Sequence, residues 1–420
     1  MRREQAEGEE FEDKYIKLFQ KSIGEFSKRF PEEKALQTFE VKDKDIRPML
    51  EMADQLAEST ENATGFYRES KVPLAVIPKF TNRKPFDVWA AFTQMPDVGI
   101  KISFGSTDEI STEVSIVKEY HNNSIVVDIY PLFILAHLNQ LELLPKLFNK
   151  IYVHQSVVDE LTESIDDRRI SARKGQTIFG KIEGQHRLIE IPPEQIQKTV
   201  ALLEKIRDFL SKNKSCEIRG LSKERPVDEH NLINALHETT RDSVFLAEDL
   251  NLPLYCDDRI LRVILRNEHK VKSFSTQPLI NLAQEKGIIS LDERFEIQKG
   301  MIDLRYEFVS INATFIYFFL KRADYSVEDM RNIITMLVRE ETSIQSLGVV
   351  LADLLFILFT DQSVDSEKKL EIFRSILSQA APNHDLGSIE EGIFINLQKR
   401  IKPEKHEQLK KMIKLFFRDI

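Results

Sequence analysis

The chain has 420 residues, 42% hydrophobic and 30% charged, with a formal net charge of −9. These ordinary globular values allow a sizeable buried core in roughly two to four domains, or in one domain with helical additions, and argue against an unselective nucleic-acid coat protein without excluding a local basic cleft. Two cysteines, Cys216 and Cys256, rule out a disulfide scaffold and fit a reducing cytoplasm.

The first residues, "MRREQAEGEEFEDKY", lack the apolar core that a signal peptide needs. The most apolar stretch, "LGVVLADLLFILF" (347–359), is too short to span a bilayer and Asp353 interrupts it, so no membrane partner is expected. Residues 1–65 form a charged helical region, with Phe11, Tyr15, Leu18, Phe19, Ile23 and Phe26 at helical spacing and "STENATGF" (59–66) as a loop. Residues 66–118 form a mixed connecting segment. It holds a short helix around the single Trp, a strand "VGIKISFG", and an N-cap signal "STDE" at 106–109.

From 124 the texture changes. "SIVVD" is a continuous apolar run, the mark of a strand covered on both faces, and "PLFILAHLNQLELLPKLF" reads as a helix. Strand candidates follow at "KIYVH" (150–154), "RLIEIP" (187–192), "LPLYCDD" and "KVKSFS" (270–275). Between them lie the amphipathic helices "QSVVDELTE", "EQIQKTVALLEKIRDFLSK", "DEHNLINALHE" and "RDSVFLAEDLN". Strands alternating with helices imply a parallel sheet. Beyond 277 strand signals vanish, and residues 277–420 read as an all-α region that packs on the core or on a protein partner.

Acidic residues gather at the strand ends and helix starts. Asp128 closes the first strand, Glu160 follows the second, Asp242 opens a helix, and Asp257 and Asp258 close the strand "LPLYC". Taken alone, Asp242 reads as an N-cap, Glu160 as a solvated helix residue, and Asp257–Asp258 as a turn. Asp128 resists such a reading, because its apolar surroundings give little reason for a charge. Carboxyl ends of parallel strands share one edge, so these groups can converge. Converging carboxylates repel unless neutralised, and the usual remedy is a hard divalent cation, Mg²⁺ or Mn²⁺, which serves phosphoryl chemistry.

These residues resemble a PIN domain, a small α/β nuclease domain. The resemblance rests on "IVVDIYPL", "KIYVHQSVVDELTE" and "DSVFLAEDLNLPLYCDDRIL" in that order and covers residues 119–276, with an insertion at about 165–240. It is similar to the bacterial subgroup found with tetratricopeptide repeats and a Gre-factor-like domain. The implied fold is a parallel sheet sandwiched by helices, flanked by an N-terminal helical region and a C-terminal all-α region. The resemblance implies that Asp128, Glu160, Asp242 and Asp258, with Asp257 beside them, hold Mg²⁺ or Mn²⁺ and cut a phosphodiester, most often in RNA. Three departures bear on activity and substrate. Ile129 and Tyr130 stand where many members carry small hydroxyl residues, Cys256 stands where many have Thr or Ser, and 82 residues separate Glu160 from Asp242.

Two segments oppose the global acidity. Residues 167–187 carry six Lys/Arg against two acids, and residues 259–274 carry five against one. Arg259 and Arg262, then Arg168, Arg169, Arg173 and Lys174, are the expected phosphate contacts; the bland alternative is a solvated loop and helix face. No zinc spacing, P-loop or dinucleotide fingerprint is present. Tyr130 stands where a haloacid-dehalogenase-type phosphatase needs a second Asp, and a receiver domain's paired acids are missing upstream of the first strand. Two other readings stay open. One is an inactive PIN-like scaffold acting through protein partners. The other is a nuclease silenced by a partner or by a lid at 165–186, as in toxin-like or phage-defence systems. The sequence leaves an oligomer open.

Overall fold

The computed structural model describes residues 47–95, 98–103, 107–182, 184–222, 232–399 and 406–417. The helical spacing at 11–26 lies outside them. The chain divides into two compact units, one of residues up to Ser59 together with Thr177–Glu190, the other of Thr60–Gln176 and Ile191–Ile420.

In the larger unit the apolar runs become a parallel sheet. Its strands are β2 (Ser124–Val127), β3 (Lys150–His154), β6 (Cys216–Arg219), β7 (Leu254–Tyr255) and β8 (Ser273–Phe274), in the order β6-β3-β2-β7-β8. Ile125, Val126 and Val127 are fully buried, as expected for a central strand covered on both faces. The chain runs from β2 outward to β3 and later returns to β7 on the other side of β2. The carboxyl ends of β2 and β7 therefore flank the point where the strand order reverses, which in open α/β sheets is the ligand crevice.

The helices between the strands are α5 (Ile129–His137), α6 (Leu143–Leu147), α7 (Gln155–Lys174), α8 (Pro193–Lys212), α9 (Leu232–Ala235), α10 (Glu238–Leu250) and α11 (Arg259–Ile264). Ahead of the sheet lie α1 (Arg47–Arg68), α2 (Ile77–Thr81), α3 (Pro85–Phe92), a short strand β1 (Ile100–Lys101) and α4 (Thr107–Glu119). After it come α12 (Thr276–Glu285), α13 (Leu291–Asp303), a strand β9 (Tyr306–Glu307), and α14 (Ala313–Arg322) to α19 (His406–Phe417), which include α16 (Ile344–Thr360) and α18 (Leu386–Gln398). The fold class is thus α/β with a helix-flanked parallel sheet and helical additions on both sides.

Several local expectations are corrected. Residues 59–66 are helical within α1, because Ala63 and Tyr67 are buried and hold that turn against the core. The helix expected over 131–148 is two helices, since Asn139 turns left-handed at φ 58°, a conformation Asn tolerates. "RLIEIP" is not in the main sheet; it belongs to β5 (Gln185–Ile191), paired with β4 (Gln176–Ile182) as a two-stranded ladder. In the smaller unit that hairpin meets α1, where Asp54 accepts from Lys181 at 2.7 Å and stands 3.1 Å from His186. The outer strand of the main sheet is instead β6, a four-residue strand whose Glu217 and Arg219 hid it. Strand structure also persists past 277: β9 pairs in parallel with β1, Ile100 opposite Tyr306.

Candidate metal centre

Asp128 is the N-cap of α5, placed there because the central strand ends at Val127. It is fully buried. Its Oδ1 accepts a hydrogen bond from the Thr240 hydroxyl at 2.8 Å, and its Oδ2 has no hydrogen-bond partner among the described residues. Burial pushes its carboxyl up to about 7, and the neighbouring charges of Asp258 and Asp257 push the same way. Asp258 caps α11. Its Oδ1 accepts from the Ile260 and Leu261 amides at 3.1 and 3.3 Å, and its Oδ2 accepts from the Ala75 amide at 3.3 Å. Burial raises it to about 6.

Asp257 is also buried, but both its oxygens are engaged. The Thr276 amide and hydroxyl each donate to it at 2.7 Å, tying β7 to the start of α12. Burial raises it to about 6. Asp257, expected as a metal ligand, thus has both oxygens at a helix start.

Glu160 and Asp242 stand on neighbouring helices. Glu160 on α7 is buried, accepts from Ser164 at 2.8 Å, and has Lys84 Nζ at 3.9 Å and His237 Nε2 at 4.0 Å from its Oε2. Burial raises its pKa. Asp242 on α10 accepts from Arg241 at 2.8 Å and lies 3.6 Å from His154 Nδ1. Asp128 and Asp258 share the switch point, while Glu160 and Asp242 each form a separate pairing with a histidine. Among the described residues, no three Asp, Glu, His or Cys side chains are grouped closely enough to hold a metal ion.

The two histidines and Thr240 carry no metal-ligand spacing in the sequence, although "HETTRD" places hydroxyls just ahead of Asp242. His154 and His237 are the N-caps of α7 and α10. His237 Nδ1 accepts from the Thr239 amide at 3.4 Å, so its neutral form carries the proton on Nε2, facing Glu160. Burial, with Lys84 nearby, lowers His237 to about 4, and burial lowers His154.

The expected phosphate contacts separate into two groups. Arg262 is buried, donates to Glu113 at 3.0 Å and to the Cys256 carbonyl at 2.9 Å, and also binds the Ile102 carbonyl. It ties α11 to α4, so the expectation of a phosphate contact there is corrected. Arg259 pairs with Glu109 at 2.9 Å, and Arg168 binds Asp87 and the Ser164 carbonyl. Arg169, Arg173 and Lys174 are exposed on α7.

Buried acids thus stand at the switch point of a parallel sheet covered by helices. Residues 126–266, about a third of the chain, match the family model of the PIN domain associated with the TPR-GreAB-C-PIN system. No curated protein and no solved structure matches the chain. Among the described residues, no helix is long and apolar enough to cross a membrane.

Proposed function

We propose that the chain is a metal-dependent nuclease that hydrolyses phosphodiester bonds, with RNA as substrate, and that Asp128, Glu160, Asp242 and Asp258 hold Mg²⁺ or Mn²⁺. The observation that carries the reading is the Asp128 Oδ2 atom, a buried carboxylate oxygen without a hydrogen-bond partner among the described residues, beside a second buried carboxylate at the switch point. The donors are hard oxygens, which suit these two cations. A bound cation would activate water and stabilise charge on the leaving oxygen.

The protein's part is orientation. Thr240 fixes the Asp128 carboxylate and leaves one oxygen for a ligand. Ser164 fixes Glu160, and Arg241 fixes Asp242. Arg169, Arg173 and Lys174 would track the phosphate backbone from α7. The family description pairs this domain with TPR and GreAB-C domains, which supports a protein partner of that kind, and the two free cysteines support a cytoplasmic setting.

A second reading, a PIN-like scaffold, is favoured by one observation: all four oxygens of Asp257 and Asp258 accept hydrogen bonds. The test is cleavage of end-labelled single-stranded RNA, structured RNA, single-stranded DNA and duplex DNA with Mn²⁺, Mg²⁺ or EDTA, beside an Asp128→Asn/Asp242→Asn double variant. Metal-dependent cutting that the variant lacks supports the nuclease and ranks its substrates. Cutting that persists in the variant refutes the site.

A further inference from the structure

The basic stretch 259–274 holds cations that the acid site does not use. α11 runs into a π-helical turn at Leu265–His269, and Lys270 closes that turn in the left-handed region at φ 56°, its amide donating to the Leu265 carbonyl. A lysine rarely takes this backbone conformation, which glycine adopts without strain. π-helical turns, and left-handed residues other than glycine, concentrate at functional sites.

The turn borders a cavity of about 350 Å³ between α4, the end of α11 and the approach to β8. That volume falls in the range of small-molecule sites, about 300–1,000 Å³. Most of the charges around it are engaged. Glu113 accepts from Arg262 at 3.0 Å and from the Ser275 amide and hydroxyl at 2.9 and 2.6 Å. Glu109 pairs with Arg259 at 2.9 Å, and Lys272 pairs with Glu119 at 2.6 Å. Arg266 and Lys270 also line the cavity, but they are exposed, and their side chains make no hydrogen bond or ion pair among the described residues. Two positive charges therefore stand unneutralised beside it. Ile116 of α4 and Val271 supply an apolar wall.

Unpaired cations next to an apolar wall suit a ligand that is anionic at one end and flat and apolar at the other. We propose that this cavity binds a nucleoside monophosphate, with Arg266 and Lys270 on its phosphate and Ile116 and Val271 against its base. The inference goes beyond the nuclease reading and does not depend on it. Arg262, which ties α11 to α4, lines the same cavity, so the ligand lies against the helix that Asp258 caps.

The test is calorimetry on the full chain with AMP, adenosine and pyrophosphate as probes. AMP should bind, and adenosine should bind at least about tenfold more weakly, because it lacks the charge that the two cations meet. Pyrophosphate should also bind more weakly than AMP, since it leaves the apolar wall bare. Arg266→Gln should weaken AMP binding by about tenfold with the urea midpoint unchanged. Lys270→Gly should weaken it as much while raising the urea midpoint, because glycine relieves the left-handed backbone. Arg169→Gln/Arg173→Gln, on exposed α7, should leave AMP affinity unchanged. Absence of AMP binding in the unaltered chain would overturn the proposal, as would unchanged AMP affinity in both Arg266→Gln and Lys270→Gly. Adenosine binding as tight as AMP would remove the phosphate contacts, and pyrophosphate binding as tight as AMP would reduce the cavity to a bare anion contact; either result refutes a nucleotide site.

Discussion

The Thr240 hydroxyl holds Asp128 Oδ1 at 2.8 Å, while Asp128 Oδ2, also buried, has no hydrogen-bond partner among the described residues. The pair leaves a carboxylate half satisfied inside the protein, a costly arrangement unless a charge arrives. Replacing Thr240 with Val keeps the shape and removes the donor. We expect Mn²⁺ affinity to fall by about 10- to 100-fold, the usual effect of losing a group that orients a metal ligand, as calorimetry would report. Unchanged affinity would mean that Thr240 is a packing residue only.

The raised acids set a pH dependence. Asp128 stands at about 7 and Asp257 and Asp258 at about 6, all above the ordinary 3.8. Between these values the native state keeps protons that the unfolded chain has released. The contribution of these acids to stability without metal should therefore fall as pH rises from about 4 to 7 and level off above. Urea midpoints at pH 5 and pH 8 check this, and Asp128→Asn should flatten the slope. Mn²⁺ affinity should run the other way and rise with pH, because a proton must leave before the cation binds.

Asp257 and Asp258 adjoin in sequence but should behave differently. Asp257→Asn loses one of the two acceptors for Thr276 and should cost about 1–3 kcal/mol with little change in metal affinity. Asp258→Asn should weaken Mn²⁺ binding. A loss of metal affinity in Asp257→Asn as large as in Asp258→Asn would return Asp257 to the ligand set.

Arg262 is a structural arginine. Removing it leaves buried Glu113 with only Ser275 as a partner among the described residues and should cost about 3–5 kcal/mol in denaturant titrations. Arg173→Ala on exposed α7 should leave stability unchanged and lower the salt slope of RNA binding by about 0.7. A mild effect at Arg262 together with an altered salt slope would restore it as a phosphate contact.

In the C-terminal helices, a Cβ on Gly348 would sit 3.1 Å from the Gly392 Cα, so α16 and α18 approach backbone to backbone. Gly348→Leu should destabilise the protein by about 1–3 kcal/mol through overpacking, measured as a lowered urea midpoint with metal binding retained.

Much of the site was legible because a charge in an apolar run is a costly choice. Asp128 announced itself that way, and the strand-end positions of Asp257 and Asp258 followed from the same pattern. What engages each of those two adjoining acids was not legible, since Thr276 and Ala75, their partners, come from distant stretches of the chain. Arg262 looked like a surface cation because basic neighbours surround it in sequence; its partner Glu113 lies 149 residues earlier. The charges of Glu217 and Arg219 concealed β6, and a two-residue strand such as β9 leaves no periodicity to read.

Local chemistry thus determined what the sequence could state by itself: an α/β core, its central buried strand, and the acids at the carboxyl ends of its strands. Those features rest on apolar patterning and on the cost of burying charge, which act over a few residues. Tertiary structure alone decided which carboxylate oxygens are engaged and what covers them. The hydrogen bond between Ala75 and Asp258 joins residues 183 positions apart. Contacts over such separations follow from how whole elements pack, and no short stretch of the chain encodes them.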